Sequence, residues 1–134
     1  MNDENPRYAR HYSLKGFGLE AQQKLGDAKV IVIGAGGLGC PALQYLVAAG
    51  VGKVGIVDGD SVALSNLQRQ VLFETSDVGQ PKASTAAQKL KKINPEILIL
   101  SHMMKTLPRK TQCICCPITT SCWIAPTILP RVIS

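Results

Sequence analysis

Three glycines in "GAGGLG", Gly34, Gly36 and Gly39, are followed a little further on, in "VDGDSVALSNLQRQ", by two aspartates and an arginine. The spacing G-x-G-x-x-G permits a tight turn at the first glycine and lets an anion approach the backbone at the second. The third lets a helix pack close to its sheet. Gly37 lies inside the same loop. Free amides at a helix start, and the positive end of its dipole, then favour phosphate. Asp58 stands where an acidic residue reaches the ribose hydroxyls of a bound nucleotide, with Asp60 beside it. On these residues alone a nicotinamide dinucleotide serves as well as any ligand. Arg69 and Lys82 shift the balance, because backbone amides suffice for a pyrophosphate whereas a triphosphate uses further cations. Asn66 and Gln70 add neutral hydrogen-bond donors. The set favours ATP, with an NAD-dependent oxidoreductase as the alternative.

Such a site needs a strand, a helix and a second strand around the loop. "KVIVI" (Lys29 to Ile33) is a β-branched run with the continuity expected of a parallel strand buried on both faces. "LGCPALQYLVAAG" then places Leu38, Ala42, Leu43, Leu46 and Val47 at helical spacing, with Pro41 in the first turn and Gly50 as a C-terminal cap. "KVGIVD" (Lys53 to Asp58) is the second strand. After a long polar connection, "QPKASTAAQKLKKI" is a helix stopped by Asn94 and Pro95, and "EILIL" (Glu96 to Leu100) is a third strand. Before all of these, "LEAQQKL" from Leu19 to Leu25 is a short helix, and residues 1–18 show no period. This order predicts an α/β, Rossmann-like doubly wound parallel sheet, truncated to its first βαβαβ half.

The 134 residues, 46% hydrophobic and 18% charged, are of a size and composition for one globular domain. No apolar leader or long apolar run is present, so neither a signal peptide nor a membrane span is expected, and the cytoplasm is the expected compartment. The net charge of +6 is concentrated in the tail, where Lys105, Arg109, Lys110 and Arg131 meet no acid. No basic patch with interleaved aromatics appears, so nucleic acid is not an expected partner. Cys40 stands apart from Cys113, Cys115, Cys116 and Cys122. The C-x-C-C spacing lacks paired C-x-x-C knuckles, which argues against zinc and leaves no metal-ligating set. Cys40, inside a helix, is expected to be a small buried residue rather than a nucleophile.

The stretches "RYARHYSLKGFG", "VIVIGAGGLGCPALQYLVAAGVGKVGIVDGDSVALSNLQRQVLF", "DVGQPKA" and "INPEI", in this order and at these spacings, resemble the ThiF/MoeB/HesA family, bacterial relatives of ubiquitin-activating enzymes. The resemblance covers residues 7 to about 100. It implies that a ubiquitin-fold sulfur-carrier protein presents its C-terminal glycine carboxylate to the α-phosphate of ATP with Mg²⁺, giving an acyl-adenylate and pyrophosphate in a thiamin or molybdopterin type pathway. It further implies that Gly34, Gly36, Gly37 and Gly39 line the phosphate loop and that Asp58 holds the ribose, with Asp60 nearby. Asn66, Arg69 and Lys82 would meet phosphates, and Arg10 would reach into the partner's ATP site of a homodimer. A non-catalytic module that binds a ubiquitin-fold protein is the remaining alternative.

The chain departs from the family after residue 106. The family's metal-binding Asp-Cys-Thr-Asp type motif, its two zinc knuckles and its sulfur-handling cysteine cannot be read, and the only acid after Asp77 is Glu96. Pro108, Pro117, Pro126 and Pro130 interrupt every possible element. Residues 1–106 are therefore expected to form the N-terminal half of the adenylyltransferase domain, and 107–134 an out-of-frame tail that impairs activity. Shifted by one base, Leu107 to Gln112 permits Thr-Pro-Glu-Asn-Ala, and Pro117 through Ile133 permits Tyr-Asp-Ile-Val-Leu-Asp-Cys-Thr-Asp-Asn-Phe-Ala-Thr-Arg-Tyr. One step has no freedom. Trp123 has the single codon TGG and Ile124 begins AT, so the shifted codon is GAT, the first aspartate of the missing motif.

Overall fold

The computed structural model describes residues 5–103 and 123–124. An N-terminal arm holds a 3-10 turn, Pro6–Tyr8, and a short helix α1, Ala9–Tyr12, where no element was expected. Then follow α2 (Gly18–Asp27), β1 (Lys29–Ile33), α3 (Gly39–Ala49), β2 (Lys53–Val57), α4 (Lys82–Ile93), β3 (Leu98–His102) and β4 (Trp123–Ile124). The strands pair in parallel in the order β3-β2-β1-β4.

Alternation along the strands explains where the core sits. Val30 and Val32 of β1 and Val54 and Ile56 of β2 point to one face, where Leu43 and Val47 of α3 and Ala83, Ala86 and Leu90 of α4 close over them. Ile31, Ile33 and Val57 point the other way and are only half-buried, and Leu100 of β3 is exposed. The expected burial of β1 on both faces is thus corrected: among the described residues the helices that pack on the strands cover one face. Helix α3 ends at Gly50, whose φ of +89° is the left-handed cap conformation. A Cβ there would lie 2.7 Å from Tyr8 and Gln22, so the cap also seats the arm.

Several boundaries differ from expectation, among them the ends of β2, at Val57 and not Asp58, and of β3, at His102 and not Leu100. The third strand starts at Leu98, not Glu96, because Asn94 turns the chain by accepting the Glu96 amide on its Oδ1 at 3.2 Å, and Ile97 enters the core. Helix α2 runs through Gly26 and Asp27, beyond the expected end at Leu25. The tail also contributes one short strand, β4, against β1, although its prolines argued against any element. The expected domain boundary at 106 and 107, the tail cysteines and most of the out-of-frame stretch lie outside the described residues. Among the described residues no helix is long and apolar enough to cross a membrane.

Candidate functional site

The glycine loop emerges from the C-terminal end of β1, between β2 and β4. There the strand order reverses, and a doubly wound sheet opens a crevice for ligands at such a point. Gly34 turns the chain with φ +92°. A Cβ on Gly39 would overlap the Gly34 carbonyl, so α3 can start this close to β1 only with glycine. Above Gly36 there is open space. The amides of Gly36, Gly37 and Leu38 meet no partner among the described residues, whereas Gly34 donates to Val57 O at 2.7 Å. These free donors at a helix start fit phosphate oxygens.

Asp58 leaves β2 beside this loop. Its Oδ2 accepts from the Ala35 amide at 2.7 Å and its Oδ1 from the Asp60 amide at 2.8 Å. Each oxygen keeps a lone pair for a hydroxyl donor. The carboxylate thus shapes the glycine loop as well as facing the crevice. Asp60 is exposed and stands 3.4 Å from the Lys82 ammonium, which is buried at the start of α4.

Arg69 comes to the loop from the long connection between β2 and α4. Its stem lies against Gly37, where a Cβ would meet Cγ and Cδ at 3.3 Å, and its Nη1 donates to Ser65 O at 3.2 Å. Asn66 shapes the turn that carries it: Oδ1 accepts from the Ala63 amide, and its carbonyl accepts from the amides of Arg69 and Gln70. Gln70 is buried and its Oε1 has no partner among the described residues, an acceptor that a ligand or solvent donor could meet. The described residues form no cluster of three metal-ligating side chains.

Cys40 sits beneath the loop, its thiol donating to Ala35 O at 3.3 Å. Burial pushes it up to about 11, against the opposing pulls of the Leu72 amide and the Lys82 charge, while Asp58 adds to the rise. The thiol is protonated near neutrality and is no nucleophile.

Arg10 is not brought to this site within one chain. It is exposed on the arm, which packs at the opposite end of α3, a helix of 11 residues spanning roughly 16 Å. The arm is held firmly. Asn94 Nδ2 donates to Tyr8 Oη at 2.9 Å and to Val47 O, Gln22 Nε2 donates to Ala49 O, and His11 Nδ1 donates to Gln22 Oε1 at 2.6 Å. Gln22 thereby gives the Ala49 carbonyl a partner at the end of α3, and Val47 O, which also accepts from the Gly50 amide at 3.2 Å, gains a second donor.

No sequence pattern signals the Ala35 amide, nor an ion-pair clip in which Lys89 of α4 meets Glu74 and, at 2.9 Å, Asp77. Burial works against both charges in the Lys89–Asp77 pair. Burial is the largest single influence on each, but the hydrogen bonds and charges together outweigh it: the Lys89 contact and the Glu74 amide hold the Asp77 carboxyl below its ordinary value, and the Glu74 and Asp77 contacts hold the Lys89 ammonium above its own.

A model of the ThiF family matches residues 8–120. The chain is 50% identical over 103 residues to a sulfur carrier protein adenylyltransferase of Thermus thermophilus, covering 77% of this chain and 38% of that one. It is 51% identical over 98 residues to a molybdopterin-synthase adenylyltransferase of Salmonella typhimurium, covering 73% and 39%. A crystal structure of E. coli MccB with ATP superposes with a TM-score of 0.71 at 36% identity, over 77% of this chain and 32% of that one. The chain spans about two fifths or less of the length of these curated relatives.

Proposed function

Because the chain belongs to the ThiF family, we propose that its glycine crevice binds ATP and that the protein it represents adenylates the C-terminal carboxylate of a ubiquitin-fold sulfur-carrier protein. The observation that carries this reading is the Arg69 stem against Gly37, which sets a cation from the β2–α4 connection beside the phosphate loop. In the reaction a carrier carboxylate oxygen forms a bond to the α-phosphorus while the bond to the bridging oxygen of pyrophosphate breaks. Both displaced charges then rest on phosphate oxygens.

This chemistry asks for positioning and spread positive charge rather than a covalent nucleophile. The free loop amides would hold phosphate oxygens, Asp58 the ribose, and Arg69 and Lys82 the charge that develops on the leaving group, with Asn66 and Gln70 as hydrogen-bonding neighbours. Asp60 sets the Lys82 ammonium through their ion pair. Mg²⁺ bound to the nucleotide's own phosphates would supply further positive charge. Arg10 would serve a second copy's crevice in a homodimer, since it faces away from its own. The cytoplasm is the proposed compartment, and residues 107–134 an out-of-frame tail that leaves this chain able to bind ATP but a poor catalyst.

Titration with ATP and with NAD tests the ligand. The expected outcome is tighter binding of ATP, weakened about tenfold to a hundredfold by Arg69→Ala, the loss of a charge-assisted contact. Tighter binding of NAD, indifferent to that substitution, would remove the proposal.

A further inference from the structure

The connection between β2 and α4 is a closed loop with a neck. Ser61 bridges Pro81, Val62 N donates to Gln80 O at 2.9 Å, Gly79 N to Val62 O at 2.8 Å and Lys82 N to Asp60 O at 2.9 Å. Halfway round, Leu72 and Phe73 plug into the core. The limb before the plug carries Arg69 and is otherwise exposed at Leu64 and Val71. The limb after it, a 3-10 turn over Thr75–Asp77, rests on α4 through Lys89, whose ammonium meets Glu74 and Asp77 while the Glu74 amide donates to Asp77 Oδ2 at 2.8 Å. Lys82 and Lys89 lie two turns apart on one face of α4. One helix face thus grips the loop at its neck and at its far limb.

We propose that Lys89 is a positioning residue for the nucleotide crevice: through Glu74 and Asp77 it fixes the limb beyond the Leu72–Phe73 plug, and so the placement of Arg69 over Gly37. The inference rests on the ATP reading above and extends it to a side chain that touches no part of the crevice. Neutralising Lys89 leaves two neighbouring carboxylates without their shared cation. Their repulsion pushes the far limb off α4, and the plug and Arg69 follow. The cost falls on phosphate contacts, because Asp58 and the glycine loop are held by other bonds.

The test compares wild type, Lys89→Gln and Lys89→Arg in two measurements. Without nucleotide, amide hydrogen exchange across residues 66–73 should quicken in Lys89→Gln and stay near wild type in Lys89→Arg. With ligand, Lys89→Gln should lose about tenfold in ATP affinity but bind adenosine unchanged, and Lys89→Arg should restore ATP. Unaltered exchange in Lys89→Gln, or an equal loss of ATP and adenosine, overturns the proposal. A wild-type chain that binds no ATP overturns the ATP reading instead, while exchange still decides whether Lys89 positions the loop.

Discussion

At the scale of single residues, the site depends on side chains doing two things at once. Asp58 ties the glycine loop to β2 while keeping acceptor capacity for a ligand. Asp77 both shapes its own turn and pairs with Lys89. Its folded carboxyl is lowered from the ordinary 3.8, so its contribution is present above that value and is lost as pH falls through the lower, folded one. Lys89 is raised from 10.5, so its contribution is present below that value and is lost as pH rises above it. Urea unfolding of Asp77→Asn should therefore show a lowered midpoint near neutrality and a shallower decline under acid than wild type. A mutant with an unchanged acid profile would mean that the pair contributes nothing.

Helix α3 shows how an element joins distant functions. Its N-terminus supplies the free amides of the crevice, and its C-terminus is tied to the arm that bears Arg10 through Asn94, which bridges Val47 O and Tyr8, and Gln22, which bridges Ala49 O and His11. Its two faces should answer mutation differently. Leu43 is fully buried against the sheet, so Leu43→Ala should cost about 2–5 kcal/mol for lost burial and a cavity. Tyr45 is 77% exposed, so Tyr45→Ala should stay within about 0.5 kcal/mol. Chemical denaturation of the two variants measures both, and equal costs would contradict the assignment of the faces.

On the scale of the whole molecule, half of a doubly wound design is visible. α3 and α4 cover one sheet face, and Leu98 and Leu100 on the other remain open among the described residues. β4 pairs with β1 at Trp123 and Ile124, the two residues whose codons fix the aspartate of the shifted frame. The proposal of an out-of-frame tail rests on the codons these residues admit. Reading the gene's nucleotides in the other frame tests it. An Asp-Cys-Thr-Asp type motif in an open frame is expected, and a stop codon before the motif would remove the proposal.

What the sequence by itself determined was local and periodic. Lys29–Ile33 as a strand follows from its β-branched run, and Gly50 as a cap from its position after the last apolar residue of α3. The glycine loop and its family followed from motifs whose residues are near one another in sequence. Tertiary structure alone decided what depends on residues far apart in the chain. Asn94 holding Tyr8, Lys89 holding Asp77 and Arg69 lying on Gly37 each need a return of the chain that no periodicity encodes. Strand β3 starts two residues after Glu96 for the same reason: its start is set by a side-chain turn at Asn94 and by pairing with β2, and pattern alone registers neither.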